Sequence, residues 1–98
     1  MPNLRADEDH EDEVRDWLRR KKLGHLRVRR RGDLLTLESG PANDPIPHLR
    51  LRRLSVHLWT VECATHTGRF EPTLLRDQLD KVLSEVAKTM PWGLAPVG

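Results

Sequence analysis

The sequence predicts an α+β fold in which a helix, three antiparallel strands and a second helix follow one another, with both helices packed on one face of the sheet. Apolar residues recur at helical spacing near both ends of the chain, and apolar and charged residues alternate strictly between them. The connections are short and rich in glycine and proline, which favours antiparallel neighbours. The chain has 98 residues and no break in composition, so we expect a single domain over 1–98.

The first helix is predicted over residues 7–23. Val14, Trp17 and Leu18 recur at helical spacing and form a narrow apolar stripe. Acidic residues crowd the first turns and basic residues the last, which suits the helix dipole. Gly24 follows, and a glycine there is typical of a left-handed residue that ends a helix.

Residues 25–64 predict the three-stranded sheet. Apolar and arginine residues alternate from Leu26 to Arg29, as in a strand with one buried face, and a turn at 31–33 leads into a second strand. Three prolines and a glycine in 39–48 predict a loop. A third strand follows over 49–64, where the alternation changes parity, so we expect a bulge at 52–53.

The last helix is predicted over residues 72–90, with Pro72 as its first residue. Its apolar positions recur at helical spacing and are Leu75, Leu79, Val82, Leu83, Val86 and Met90. Pro91 ends it, and the tail 91–98 is expected to pack Trp92 and Leu94 back onto the domain.

The charge of +2 conceals a strong segregation along the chain. Residues 1–18 carry a net charge of −5, residues 19–53 carry +8, and the remainder carries −1. By alternation, the sheet face away from the helices holds many of the bases, and this face could neutralise several phosphates. The sequence therefore predicts a non-catalytic nucleic-acid-binding domain, for RNA or DNA, within a larger assembly. The proposed contacts are Arg27, Arg29, Arg50 and Arg52, extended by Lys21 and Lys22.

Other interpretations of the arginines stay open. They could solvate the sheet, pair with the acidic segment 7–16, or reflect the codon bias of a GC-rich genome. In a second function hypothesis, the protein is an interaction or regulatory subunit without nucleic-acid binding, or a homodimer. It would dock through the loop 40–48 and through residues 66–73, where His66, Arg69 and Glu71 stand near the expected start of the last helix.

No catalytic, cofactor or metal motif is evident. Cys63 and His66 stand three apart, and His48 and His57 are near in sequence, but no second paired ligand motif accompanies them. If Cys63 were a nucleophile and His66 its base, no third residue that would complete a catalytic group is evident. We therefore expect no metal, no cofactor and no enzymatic activity. A single cysteine, no signal-peptide pattern and no membrane-spanning run indicate a cytoplasmic protein without membrane contact.

The helix, three-strand, helix order resembles double-stranded-RNA-binding domains and the HicA-like ribonuclease toxins that share this topology. The stretch from His66 to Arg76, with Gly68, Arg69, Pro72 and Leu75, is similar to the segment leading into the last toxin helix, and the basic turn 30–33 is similar to theirs. The resemblance implies an RNA ligand, and a divergent ribonuclease as a third hypothesis. HicA-like enzymes carry a histidine just after the hairpin-turn glycine, whereas Gly32 is followed by Asp33 here. The chain also resembles small bacterial proteins of no assigned activity.

Overall fold

The computed structural model describes residues 4–65 and 67–96. Within these residues the prediction of three strands is wrong, because the sheet has five, β1 to β5, in one antiparallel meander that follows chain order. The elements are α1 (Glu8–Arg20), β1 (Arg27–Arg31), β2 (Leu34–Ser39), β3 (Ile46–Ser55), β4 (Leu58–Ala64), β5 (Phe70–Asp77), α2 (Leu79–Thr89) and a final 3-10 helix (Pro91–Leu94).

The expected third strand is a hairpin of two strands. A tight turn at Val56 and His57 separates β3 from β4, and the pairing register shifts between Arg53 and Ser55. The change of parity in the sequence therefore marks an irregularity one residue beyond the expected 52–53, with Leu54 as the extra residue. The chain then turns back as a separate strand instead of continuing as one long strand. The turn contains neither glycine nor proline, so the sequence lacks the residues that most often indicate a turn.

The expected start of the last helix is the edge strand β5. Pro72 lies within this strand, opposite Glu62, and α2 begins only at Leu79. Proline is tolerated in edge strands because their outward N–H groups have no partner strand. In the sequence, Leu75 continues the apolar spacing of α2. It belongs to β5 instead, and it packs on the same core from there.

The core lies between one face of the sheet and the two helices. The inward-facing leucines of β2 and β3, together with Trp59 and Val61 from β4, meet apolar side chains from α1 and α2, and these side chains are buried. The members with almost no exposed surface are Val14, Leu35, Leu37, Leu49, Leu51, Trp59, Val61, Val82, Leu83 and Val86. Both helices therefore cover the same face, and the opposite face of the sheet is left to solvent.

The ends of α1 are closed by backbone and side-chain hydrogen bonds. Asp7 caps the first turn: its carboxylate accepts from the His10 N–H, and the His10 ring accepts from the Asp7 N–H. At the other end Lys22, with φ of 57°, is the left-handed residue instead of the predicted Gly24. The N–H of Leu23 then reaches the carbonyl of Leu18 at 2.9 Å, as in a Schellman motif.

Two histidines hold the C-terminal 3-10 helix against the sheet. His25 Nε2 donates to the carbonyl of Leu94 at 2.6 Å, and His48 Nδ1 donates to that of Gly93 at 3.0 Å. Leu94 is buried as expected, whereas Trp92 is 65% exposed and does not pack back. No helix among the described residues has the length and apolarity needed to cross a bilayer.

We expect Leu51→Ala to lower the free energy of unfolding by about 2 to 5 kcal/mol, because Leu51 is fully buried in the central strand β3. Leu54→Ala is the matched control in the same strand. It removes a side chain that is 40% exposed and should cost less than about 1 kcal/mol. Urea denaturation of both variants checks this, and similar losses at the two positions would contradict the strand register.

We expect Lys22→Gly to raise the free energy of unfolding by about 1 kcal/mol, because glycine adopts the left-handed conformation without the Cβ clash. Lys21→Gly removes the same charge at φ of −86°, where there is no such strain to relieve. It should be neutral or destabilising by up to about 1 kcal/mol. Thermal unfolding of the pair separates backbone strain from charge, and a stabilising Lys21→Gly would count against this explanation.

Candidate nucleic-acid interface

The uncovered side of the sheet carries arginines from three strands, and we call it the arginine face. The register aligns Arg31, Leu34, Arg52, Thr60 and Arg76 in one row across all five strands. A second row runs through Arg29, Thr36, Arg50, Glu62 and Pro72. The six arginines of the face are Arg27, Arg29, Arg31, Arg50, Arg52 and Arg76. The structure thus brings the four predicted arginines together.

Two nearly buried glutamates and one aspartate pair with these arginines. Glu62 accepts from Arg50 at 2.6 Å and from Arg52 at 3.2 Å. Glu38 lies 3.4 Å from both Arg27 and Arg29. Each glutamate therefore pairs with two arginines of one neighbouring strand, Glu38 with those of β1 and Glu62 with those of β3. The third acid, Asp33, lies in the turn between β1 and β2, 3.2 Å from Arg52.

The network keeps Glu62 ionised although it is largely shielded from water. Burial by itself would raise the pKa of Glu62, but hydrogen bonds and charge from Arg52 and Arg50 outweigh it and hold the pKa below its ordinary value of 4.5. In return, the hydrogen bond that Arg52 donates to Glu62 raises the pKa of Arg52. The pairs therefore fix the two guanidinium groups in place on the sheet.

The ion pairs do not neutralise the face. Six arginines stand against three paired acids, which leaves an excess of three positive charges. Arg31 and Arg76 are exposed and, within residues 4–65 and 67–96, make no ion pair shorter than 4.0 Å. Arg29 keeps 56% of its side chain exposed despite its pair. The positive excess therefore lies on β1 and β5, at the two edges of the sheet.

A concavity of about 260 Å³ opens on the arginine face. Arg29, Arg31 and Arg50 line it together with Phe70, and its apolar wall is completed by Leu34, Pro45 and Pro47. The guanidinium carbon of Arg50 lies 4.1 Å from the centre of the Phe70 ring, a cation–π arrangement. The site therefore combines positive charge with flat and apolar surface.

The predicted lysine extension lies elsewhere. Lys21 lines a groove with Leu23, Ala87 and Leu94, on the side of the sheet that the helices cover. Lys22 follows in the turn that ends α1. The structure therefore does not bring Lys21 next to the four predicted arginines.

The acidic segment also lies on the helix side. Glu11 of α1 pairs with Arg30 at 3.0 Å and with Arg15 at 2.7 Å, and the hydrogen bond from Arg30 holds the pKa of Glu11 below its ordinary value. Arg30 belongs to β1 but points to the opposite face from Arg29. The helix α1 therefore leaves the arginine face uncovered. Among the described residues, its acidic segment pairs with Arg30 on the helix side, and not with the arginines of that face.

The predicted interaction loop is described only in part. His66 lies outside the described residues. Arg69 is exposed in the turn between β4 and β5, where its carbonyl accepts from the Thr65 N–H at 2.7 Å. Glu71 is exposed on β5, opposite Cys63.

The candidate metal ligands have separate surroundings. Cys63 packs beside Met90, with 3.5 Å between the sulfurs, and burial followed by the charge of Glu71 raises the pKa of its thiol. His48 is buried and its ring is hydrogen-bonded to Ser39 and Gly93. Across the described part of the chain, no three histidine, cysteine or acidic side chains form a group that could hold a metal ion.

A second concavity, of about 170 Å³, lies on the helix side at the start of α2. His57 from the β3–β4 turn lines it with His10 and Glu13 of α1 and with Asp80. Burial, followed by the charge of Asp80, raises the pKa of Glu13. No sequence pattern joins these residues into one group, because they come from three separate elements.

Sequence reasoning also missed three components of the arginine face. Arg31 has the same parity as Arg29, so alternation could have included it. The sequence predicts Arg76 in the last helix and Phe70 just before it, and only the pairing of β5 with β4 places them on this side. The comparisons of the chain with protein-family models, curated proteins and solved structures find no match.

We expect Glu62→Gln to lower the free energy of unfolding by about 1 to 2 kcal/mol at neutral pH, because it removes a carboxylate that accepts from two arginines. The folded-state pKa of Glu62 is depressed, so its contribution is present above pH 4.5 and is lost as the pH falls through the folded pKa. Stability of the variant should therefore decline less than that of the wild type between neutral pH and about pH 3.

Urea denaturation at several pH values checks this, with the exposed Glu71→Gln as control. That substitution should leave the acid-dependent loss of the wild type in place. An equally steep decline for Glu62→Gln would show that other carboxylates produce the effect.

Proposed function

We propose that this protein is a non-catalytic nucleic-acid-binding domain that acts through the arginine face, as part of a larger assembly. The observation that carries the proposal is the excess of three positive charges on an open sheet face, with Arg31 and Arg76 exposed at its edges. Phosphate neutralisation by arginine supplies most sequence-independent affinity for nucleic acid.

The spacing of the arginines supports a chain of phosphates as the ligand. Arginines two residues apart along a strand are separated by about 6 to 7 Å, and neighbouring strands by about 4.8 Å. The result is an array of cations, whereas a single phosphate would need one convergent cluster. Guanidinium groups suit this task because each can donate two parallel hydrogen bonds to one phosphate.

The paired glutamates moderate the expected affinity. Arg50 and Arg52 would have to share their donors between Glu62 and a phosphate, whereas Arg31 and Arg76 would not. We therefore expect about two to three phosphate contacts, and a slope of log affinity against log salt concentration of about −1.4 to −2.7. This predicts weak binding by the isolated domain, which fits a role within an assembly.

Protein interaction is the second candidate function, and one observation favours it. Leu74 is 99% exposed at a bulge in β5. The hydroxyl of Thr73 donates to the Val61 carbonyl at 2.8 Å and that of Thr60 donates to the Leu75 carbonyl at 2.7 Å. These bonds hold the bulge, so Leu74 is presented at a fixed position on the free edge. Binding of a protein that is lost in Leu74→Ser would support this function.

We expect the double variant Arg31→Ser/Arg76→Ser to bind fluorescent oligonucleotides more weakly and with a flatter salt dependence. Each lost phosphate contact should reduce the slope by about 0.7 to 0.9. Fluorescence anisotropy across about 50 to 200 mM salt measures both quantities. For a duplex oligonucleotide, which offers only phosphates, Glu62→Gln should act in the opposite direction and tighten binding, because it releases Arg50 and Arg52 from their shared partner.

The matched control is Arg20→Ser/Lys81→Ser, which removes two exposed positive charges from the helices. It changes the net charge equally but lies away from the arginine face, so its salt slope should equal that of the wild type. Equal weakening by the two double variants would mean that net charge alone attracts the nucleic acid. No binding by the wild type at low salt would overturn the proposal.

A further inference from the structure

We propose that the concavity beside Phe70 and Arg50 binds an unstacked nucleobase, so that the domain selects single-stranded nucleic acid over duplex. This inference rests on the proposed function and specifies its ligand. Single-stranded ligands are bound where a positively charged groove carries flat side chains on which bases can stack. The concavity of about 260 Å³ combines both properties in one place.

The stacking surface is the pair formed by Arg50 and Phe70. The guanidinium carbon of Arg50 lies 4.1 Å from the Phe70 ring centre, and 25% of the Arg50 side chain remains exposed. A guanidinium plane is a stacking partner for bases as an aromatic ring is. A base can therefore extend the stack from the solvent side of the pair.

Arg50 is held in this position before any ligand arrives. Its Nε donates to Glu62 at 2.6 Å, and Glu62 is also bound by Arg52. A side chain that is already ordered loses little conformational freedom on binding. The ion pair therefore prepares the stacking surface, in addition to balancing charge.

The remaining walls suit a flat, partly apolar ligand. Leu34, Pro45 and Pro47 provide apolar contacts, and Thr36 and Glu38 provide hydrogen-bonding groups. Arg29 and Arg31 line the same concavity and are exposed, so they can meet the phosphates that flank the base. In a duplex the bases are stacked on one another, and only the phosphates could reach this face.

The test compares three ligands of equal length in the anisotropy assay: a single strand, a duplex hairpin, and a single strand with abasic sites. The abasic strand keeps the phosphates but offers no base to stack. The affinity for the single strand should be at least about fivefold higher than that for the abasic strand. Phe70→Leu, which keeps apolar volume without a ring, should abolish that difference while leaving the affinity for the hairpin within about twofold.

Arg50→Lys keeps the charge but removes the guanidinium plane, and it should also reduce binding of the single strand towards that of the abasic strand. Pro96→Ala, in the groove on the helix side, is the control and should change none of the three affinities. Thermal unfolding of each variant establishes that it is folded, and the hairpin affinity of Phe70→Leu provides a second check.

The outcomes separate this inference from the proposed function. Equal binding of all three ligands, unaffected by Phe70→Leu, would overturn the base site and leave a face that binds phosphates alone. Binding of none of them at low salt would overturn both proposals. A preference for the single strand that persists in both Phe70→Leu and Arg50→Lys would place base recognition elsewhere and overturn this inference.

Discussion

The structure depends on one constraint: two helices cover one face of a five-stranded sheet, and side chains alternate between the two faces. Leu49 and Leu51 of β3 are fully buried under the helices, so Arg50 and Arg52 must point the other way. The same alternation applies to β1 and β2. A charged outer face is therefore a direct consequence of the apolar inner face, and the choice of arginine gives that face its chemistry.

The arginine face has to satisfy two opposing requirements. Close packing of guanidinium groups on a sheet is unfavourable unless acids separate them, and Glu38 and Glu62 do this between pairs of arginines. These glutamates lie near the middle of the sheet, on β2 and β4, where water is least available. The edges carry the arginines that are not balanced in this way. The charges that stabilise the sheet by pairing thus lie near its middle, and the unbalanced arginines that we propose to bind nucleic acid lie at its edges.

The helix side is completed by contacts between distant parts of the chain. His25 and His48 donate to carbonyls of the last 3-10 helix, and the His48 ring is also hydrogen-bonded to the Ser39 hydroxyl at 2.8 Å. The same 3-10 helix buries Leu94 against the sheet. His48, one of the candidate metal ligands in the sequence, therefore satisfies a backbone carbonyl of this 3-10 helix, as His25 does.

Elements that depend on neighbouring residues can be predicted from the amino-acid pattern alone. The first helix, the hairpin of β1 and β2 and the shared face of Arg27, Arg29, Arg50 and Arg52 follow from side-chain period, the helix dipole and the Gly32 turn, where φ is 59°. These are local properties. The helix stop was misplaced by two residues, because a lysine adopts the left-handed conformation for which a glycine was expected.

The number of strands and the composition of the site depend on contacts between distant parts of the chain. β5 has a proline, a bulge and mixed periodicity, and it is a strand because β4 offers it backbone hydrogen bonds and a core for Leu75. That pairing carries Phe70 to the concavity lined by Arg50 and places Arg76 in the row of Arg52. Strand pairing is a long-range interaction, so a local pattern cannot predict it when the strand itself is irregular.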